Sequence, residues 1–421
     1  MNPMKIAMLS FHHNNGGAAI ACGRLVKALR ENGHEVHWIV QEGGISKEYD
    51  SLGNTFFQKI GNYIRFVAER LYFLPFEKNK SIRFLFNPGI FGQNLSHHPS
   101  IQSADIIHLH FTNFGFLSIQ NIQQLLALGK PVFWTLHDMW AFTGGCHHSG
   151  TCENYQSQCG FCEEFIKKPA KNDLSNQLWQ KKLKAFKAPN LQVITCSNWL
   201  KQRAQKSSIL KNHNISAIPN TLDSHQIFVP NPKEKAKKAL DLNTDLPLLL
   251  FVAVRPNAIK KGFKQFIEAI KILESQTNFQ IGIVGNVIDK SVFESIKTKI
   301  HFFGHISELE KMAMIYQAAD TYITTSLEEN LPNTIMEAMA CGTPCVGFEI
   351  GGIPEMIDHQ KNGYVAKAFD TADFAHGILE TIKNKESWGK LARVKVEEQY
   401  AEKIIVQKHL EVYQNALNNE V

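Results

Sequence analysis

Short apolar runs alternate with helix-like stretches along almost the whole chain, and this rhythm limits the fold more than any other feature. A run of four to eight apolar residues between turn formers reads as a strand buried on both faces, and crossover helices between such strands make them parallel. The first half offers strands at Lys5–Phe11, Glu35–Val40, Ile106–His110, Val132–Leu136, Gln192–Cys196 and Ile215–Ile218. The second half offers Leu248–Val254, Gln280–Val284, Ile300–Phe303, Thr321–Thr324 and Pro344–Phe348. Each set is enough for its own doubly wound α/β sheet. The chain has 421 residues, more than one core usually holds, so two domains are expected. The stretch from Pro219 to Pro247 contains four prolines and the run Lys233–Lys238, and reads as a linker followed by a solvated helix. The expected domains are 1–223 and 224–399, with a C-terminal helix of about 400–421 packing back on the first.

Composition then narrows the class. Hydrophobic residues at 44% and charged residues at 20% exclude disorder, collagen and coiled coil. The longest apolar run, Leu248 to Val254, falls far short of the roughly 20 residues that span a bilayer. The apolar start Ile6–Leu9 is broken at once by Ser10, His12 and His13, so no signal peptide is expected.

Four places carry residues suited to a phosphorylated ligand. After the first strand come Gly16 and Gly17, then a helix-like stretch from about Ala18. Glycines between a strand and a helix start let a backbone approach phosphate, although a tight turn explains them equally. After Thr321–Thr324 comes Ser326-Leu-Glu-Glu-Asn-Leu-Pro-Asn-Thr-Ile-Met-Glu337. Pro332 and Asn333 suit a helix start, which leaves Glu329 in the loop and Glu337 one turn inside. Both carboxylates then face the carboxyl edge of the sheet, where open α/β sheets bind ligands. A carboxylate accepts two hydrogen bonds from paired sugar hydroxyls, and the helix start offers backbone N–H groups to a pyrophosphate. Gly351-Gly352 follows the next strand. Upstream, Arg255, Lys260, Lys261 and Gly262 follow another strand and bring cations to the same edge, as a departing diphosphate requires.

Together these residues resemble a retaining glycosyltransferase of family 4 (glycosyl transferases group 1), whose GT-B fold has two Rossmann-like domains facing across a cleft. The match is strongest where Arg255, Lys261-Gly262, the Glu329/Glu337 pair and Gly351-Gly352 fall in family order. It is similar at Gly16-Gly17, at Thr135-Leu136-His137-Asp138 and at Ile218-Pro-Asn-Thr-Leu-Asp223. The resemblance implies that Arg255 and Lys261 neutralise the donor diphosphate, that Glu337 binds the ribose and that Glu329 contacts the donor sugar. It places His137 against the transferred sugar and Gly16 and Gly17 near donor phosphate. Asn330, Leu331, Asn333 and Thr334 complete the implied donor site. It further implies transfer of a hexose-type sugar from a nucleotide-diphosphate sugar, with retention, to a glycan or lipid-linked acceptor in polysaccharide or lipopolysaccharide assembly. No catalytic metal is expected, in keeping with the lack of any Asp-x-Asp in the sequence. Two other readings stand beside this one: a nucleotide-sugar epimerase, and a non-enzymatic basic binder suggested by eleven basic against three acidic residues in Gly160–Lys211. No recognised nucleic-acid motif accompanies that window, so nucleic acid is not an expected partner.

Two stretches break the rhythm. Cys146, Cys152, Cys159 and Cys162 lie within seventeen residues, the last two as C-x2-C. Four thiolates can hold a structural zinc ion, with His147 and His148 as spare ligands; disulfides and an iron–sulfur cluster are the alternatives. The remaining four cysteines lie in apolar surroundings and read as core. Phe56–Phe86 carries nine aromatic residues among six basic and two acidic ones. It reads either as an insertion burying its aromatics or as a surface for an anionic membrane, with Lys167, Lys168, Lys171, Lys181, Lys182 and Lys184 assisting. The expected location is cytoplasmic, peripheral at the inner face of the membrane.

Overall fold

A computed structural model describes residues 3–256 and 259–418. The chain divides into two compact units. The first runs to Pro219 and takes in the segment from Val406 onward; the second is Asn220–Ile405.

The first unit is built on a seven-stranded sheet in the order β3-β2-β1-β4-β5-β6-β7. Its strands are β1 (Lys5–His12), β2 (Glu35–Glu42), β3 (Asp50–Ser51), β4 (Ile106–Leu109), β5 (Val132–Leu136), β6 (Leu191–Thr195) and β7 (Ile215–Ala217). The second unit carries β8 (Leu248–Val252), β9 (Gln280–Val284), β10 (Ile300–Gly304), β11 (Thr321–Thr324), β12 (Cys345–Phe348) and β13 (Gly363–Ala366), ordered β10-β9-β8-β11-β12-β13. Neighbouring strands are parallel throughout both sheets. Each sheet therefore repeats the doubly wound order in which the first and fourth strands are neighbours and their loops diverge. That switch point lies at β1/β4 in one unit and at β8/β11 in the other. Central strands such as β5 and β11 are buried at every residue, as a sheet covered on both faces requires.

The eleven expected strands are present with ends shifted by a residue or two. β8 stops at Val252, and Val254 is 66% exposed. The sequence does not announce β3 or β13, because each is a short edge strand paired on one side only. The segment 220–228 belongs to the second unit. Arg393 donates to the carbonyls of Ser224 and Phe228, and the Leu222 N–H to that of Tyr400, which fastens this segment to the second unit. The expected helical tail is two helices, Lys385–Gln399 and Glu402–Asn418. The second helix returns to the first unit, where the Tyr413 hydroxyl lies 2.6 Å from His108 Nδ1 and both side chains are fully buried.

Among the described residues no helix is long and apolar enough to cross a membrane.

Candidate active site

At the switch point of the second unit, the loops after β8 and β11 are stitched together by backbone. Leu327 N–H donates to the Lys260 carbonyl at 2.9 Å, and Thr325 Oγ1 to the Lys261 carbonyl at 2.9 Å. Gly262 begins the helix Phe263–Glu274 at φ +66°, and a Cβ there would lie 1.7 Å from the Thr325 carbonyl oxygen. Only glycine permits this approach. The stitching aims two lysines at two carboxylates: Lys260 donates to Glu328 at 2.8 Å, and Lys261 to Glu329 Oε1. Ser326 Oγ also donates to Glu329 Oε1, at 3.0 Å. Behind Glu329, Gly351 stands at φ +54° with its missing Cβ 1.7 Å from the Glu329 carbonyl oxygen. Arg255 is exposed in the same loop after β8; Asn257 and Ala258, beside it, lie outside the described residues.

Pro332 precedes the helix Asn333–Ala340, whose start no side chain caps. Glu337 is buried on this helix and accepts from the Tyr316 hydroxyl at 2.9 Å. Thr334 accepts from the Tyr322 hydroxyl at 2.8 Å, and Asn333 Oδ1 from Asn220 Nδ2 at 2.9 Å. Burial, then the nearby thiol of Cys345 and the charges of Glu329 and Glu337, push the Tyr322 phenol far up, so it remains a donor. Lys261, Glu329, Asn330, Leu331, Asn333, Thr334 and Glu337 thus belong to one loop-and-helix edge of one sheet. A cation, two carboxylates and an uncapped helix start in that order suit a sugar diphosphate.

The expected residues Gly16, Gly17 and His137 belong to the first unit. Gly16, at φ +90°, precedes the helix Gly17–Glu31, which has no side-chain cap and no acidic residue in its first turn. That start is suited to an anion. His137 follows β5 and is partly buried, its Nε2 3.0 Å from His110 Nδ1 and its Nδ1 3.6 Å from Cys196 Sγ. Burial lowers its pKa to about 4, so the imidazole is neutral at pH 7. A small cavity beside it is lined by His110, Asn113, Thr135, His137, Asp138 and Trp140. His110, missed by the sequence reading, is buried and its Nε2 has no partner. Its signal was the alternation His108-x-His110, which puts both rings on one face at a strand end. Asp138 is absorbed in structure: it accepts from the Trp140 N–H at 2.8 Å and pairs with His147 at 2.8 Å.

Cys146, Cys152, Cys159 and Cys162 lie in the loop between β5 and the helix Leu174–Ala185. All four cysteines are free thiols, with Cys159 buried and Cys152 exposed. Among the described residues no group of three or more His, Cys, Asp or Glu is arranged to hold a metal ion. Burial pushes the Cys159 thiol up to about 12 and that of Cys162 to about 11. The cation that organises the loop is Lys182. Its ammonium is fully buried, donates to the carbonyls of Trp140 and Thr143 and lies 3.6 Å from the Trp140 ring centroid. Burial lowers its pKa to about 7. Lys182 therefore cannot serve a membrane surface, as the sequence suggested, because a helix face points it inward.

Comparison with known proteins fits this geometry. The profile of Glycosyltransferase Family 4 matches residues 15–226, and that of Glycosyl transferases group 1 matches residues 232–400. N-acetyl-alpha-D-glucosaminyl L-malate synthase of Bacillus anthracis is 21% identical over 96% of this chain and 95% of its own. Among solved structures, a sucrose-phosphate synthase from Thermosynechococcus elongatus superposes with a TM-score of 0.70 at 18% identity, covering 98% of this chain and 99% of that one. Anabaena Alr3699/HepE in complex with UDP gives 0.63 at 17% identity, covering 98% and 100%. Two doubly wound parallel sheets of this order make the GT-B fold. The chain belongs to glycosyltransferase family 4. That assignment leaves the epimerase and the non-enzymatic binder without support.

Proposed function

We propose that the protein moves a hexose-type sugar, with retention and without a catalytic metal, from a nucleoside-diphosphate sugar to a glycan or lipid-linked acceptor in polysaccharide-type assembly. The observation that carries this reading is the edge at β8/β11, where Gly262 and Gly351 allow the close backbone approaches at Thr325 and Glu329, Lys261 pairs with Glu329, and the Tyr316 hydroxyl holds Glu337. The UDP held by the Anabaena neighbour supports a nucleotide donor. Lys261 and Arg255 stabilise the diphosphate as the glycosidic C–O bond breaks. The acceptor oxygen then bonds to the anomeric carbon on the same face, and its proton passes to the departing diphosphate oxygen. Neither carboxylate is needed as a nucleophile: Glu329 is occupied by Lys261 and Ser326.

A thermal-shift screen of UDP-, GDP- and ADP-sugars, followed by hydrolysis and transfer assays on the hit, tests the proposal. Stabilisation by one nucleotide sugar and an α-linked product from an α-linked donor, undiminished by chelator, is expected. An inverted product, or activity lost in chelator and restored by manganese, overturns it.

The Phe56–Phe73 helix supports docking on an anionic membrane. Phe73 and Phe86 enter the core, but Phe56 and Phe57 are 72% and 83% exposed, and Tyr63, Ile64, Leu71, Leu74 and Phe84 are exposed with them. Lys59 and Lys80 are exposed beside these side chains, a combination suited to lipid headgroups. The protein should sediment with phosphatidylglycerol vesicles at low salt, less at high salt and less as Phe56→Ser/Phe57→Ser. Equal recovery in the supernatant with and without vesicles counts against this.

A further inference from the structure

Glu337 does not hold its position alone. Tyr316, on the helix Leu309–Ala318, is fully buried and turns its hydroxyl onto Glu337 Oε2 at 2.9 Å. The backbone of Tyr316 is fixed in turn, because Thr343 Oγ1 donates to its carbonyl at 2.7 Å. Its ring meets Tyr322 edge-on at 6.1 Å and Phe228 at 6.3 Å. Phenylalanine would fill the same apolar space, so the hydroxyl is the group that distinguishes this residue. A buried phenol needs an acceptor, and here the acceptor is a carboxylate at the ligand edge. Burial and the Glu337 charge push its pKa well above the ordinary range, so it stays a donor at every working pH.

We propose that Tyr316 is the positioning residue of Glu337: its hydroxyl anchors one carboxylate oxygen and so orients the carboxylate toward the ribose diol of the nucleotide donor. This rests on the donor-site reading above. Anchoring one oxygen leaves the carboxylate a single rotamer, and the diol meets an acceptor already in place instead of ordering it on binding. Tyr322 does the same at Thr334, so two phenols brace the helix Asn333–Ala340 from behind.

The test compares UDP, GDP and ADP with their 2′,3′-dideoxy analogues, by calorimetry on the full-length protein. Tyr316→Phe should weaken the ribonucleotide by about tenfold, the value of one charge-assisted hydrogen bond, and leave the dideoxy analogue within twofold of the wild type. Glu337→Asp keeps the charge but withdraws it from the phenol, and should give the same diol-specific loss. In Tyr316→Phe/Glu337→Asp the two losses should not add. Equal weakening of both nucleotide forms in Tyr316→Phe assigns the tyrosine a purely structural role and overturns the inference, as does no weakening at all. A wild type that binds each nucleotide and its dideoxy analogue equally, or that binds none of UDP, GDP and ADP, overturns the donor-site reading instead, and the inference falls with it.

Discussion

Lys261→Ala and Glu337→Ala should each lower kcat/KM by about thirtyfold to a thousandfold while the protein stays folded. A charged contact to a developing diphosphate, or to the ribose that orients it, contributes on the order of 2–4 kcal/mol to the transition state. The structure sharpens the lysine assignment. Lys260 is drawn off to Glu328, whereas Lys261 faces Glu329, which the proposed donor site sets against the sugar. Exchange of Glu329 for a diphosphate oxygen keeps Lys261 paired at every stage, so its removal is felt when charge builds on the leaving group. Lys260→Ala should therefore stay within severalfold of wild type, because exposed pairs are worth only about 0–1 kcal/mol. Steady-state kinetics on the donor identified by thermal shift, with unfolding curves for each variant, decide the matter. Near-normal turnover in both Lys261→Ala and Glu337→Ala would remove the site from this edge.

Gly262→Ala should disable the protein as thoroughly as loss of Lys261, without touching a charge. The backbone stands at φ +66°, which costs an alanine on the order of 1–3 kcal/mol. The larger problem is steric: the new Cβ would lie 1.7 Å from the Thr325 carbonyl oxygen and 2.7 Å from its carbon. Only separation of the two loops relieves that overlap. Separation breaks the bonds from Leu327 to Lys260 and from Thr325 to Lys261, each worth about 1 kcal/mol. It also carries Lys261 away from Glu329. The urea midpoint should fall by an amount matching roughly 3 kcal/mol or more, and donor affinity should drop with it. Gly16→Ala is the comparison: no atom lies within 4 Å of its Cβ, so it carries the φ penalty alone and should lose less stability. If the two glycine variants behave alike, the close approach at Thr325 is not what holds the site.

Lys182 shows how charge in a sequence misleads. In the run Lys181-Lys182-x-Lys184 nothing separates the three, and a count of basic residues assigns all of them to a surface. The helix Leu174–Ala185 turns Lys182 inward onto two carbonyls and an indole.

The sequence by itself determined the strand rhythm, the two Rossmann-like sheets and the order of Arg255, Lys261, Glu329 and Glu337. These are local properties: a period of apolar residues, a glycine at a turn, a proline at a helix start. Edge strands β3 and β13 escaped because pairing with a neighbour, and not their own composition, makes them strands. Only the tertiary structure decided that Lys260 and Lys261 take different partners, that Tyr316 stands behind Glu337, that His110 meets His137 and that the last helix returns to the first unit. Each of those contacts joins residues more than twenty positions apart. Their identities permit many pairings, and the close packing of two sheets with their crossover helices selects one.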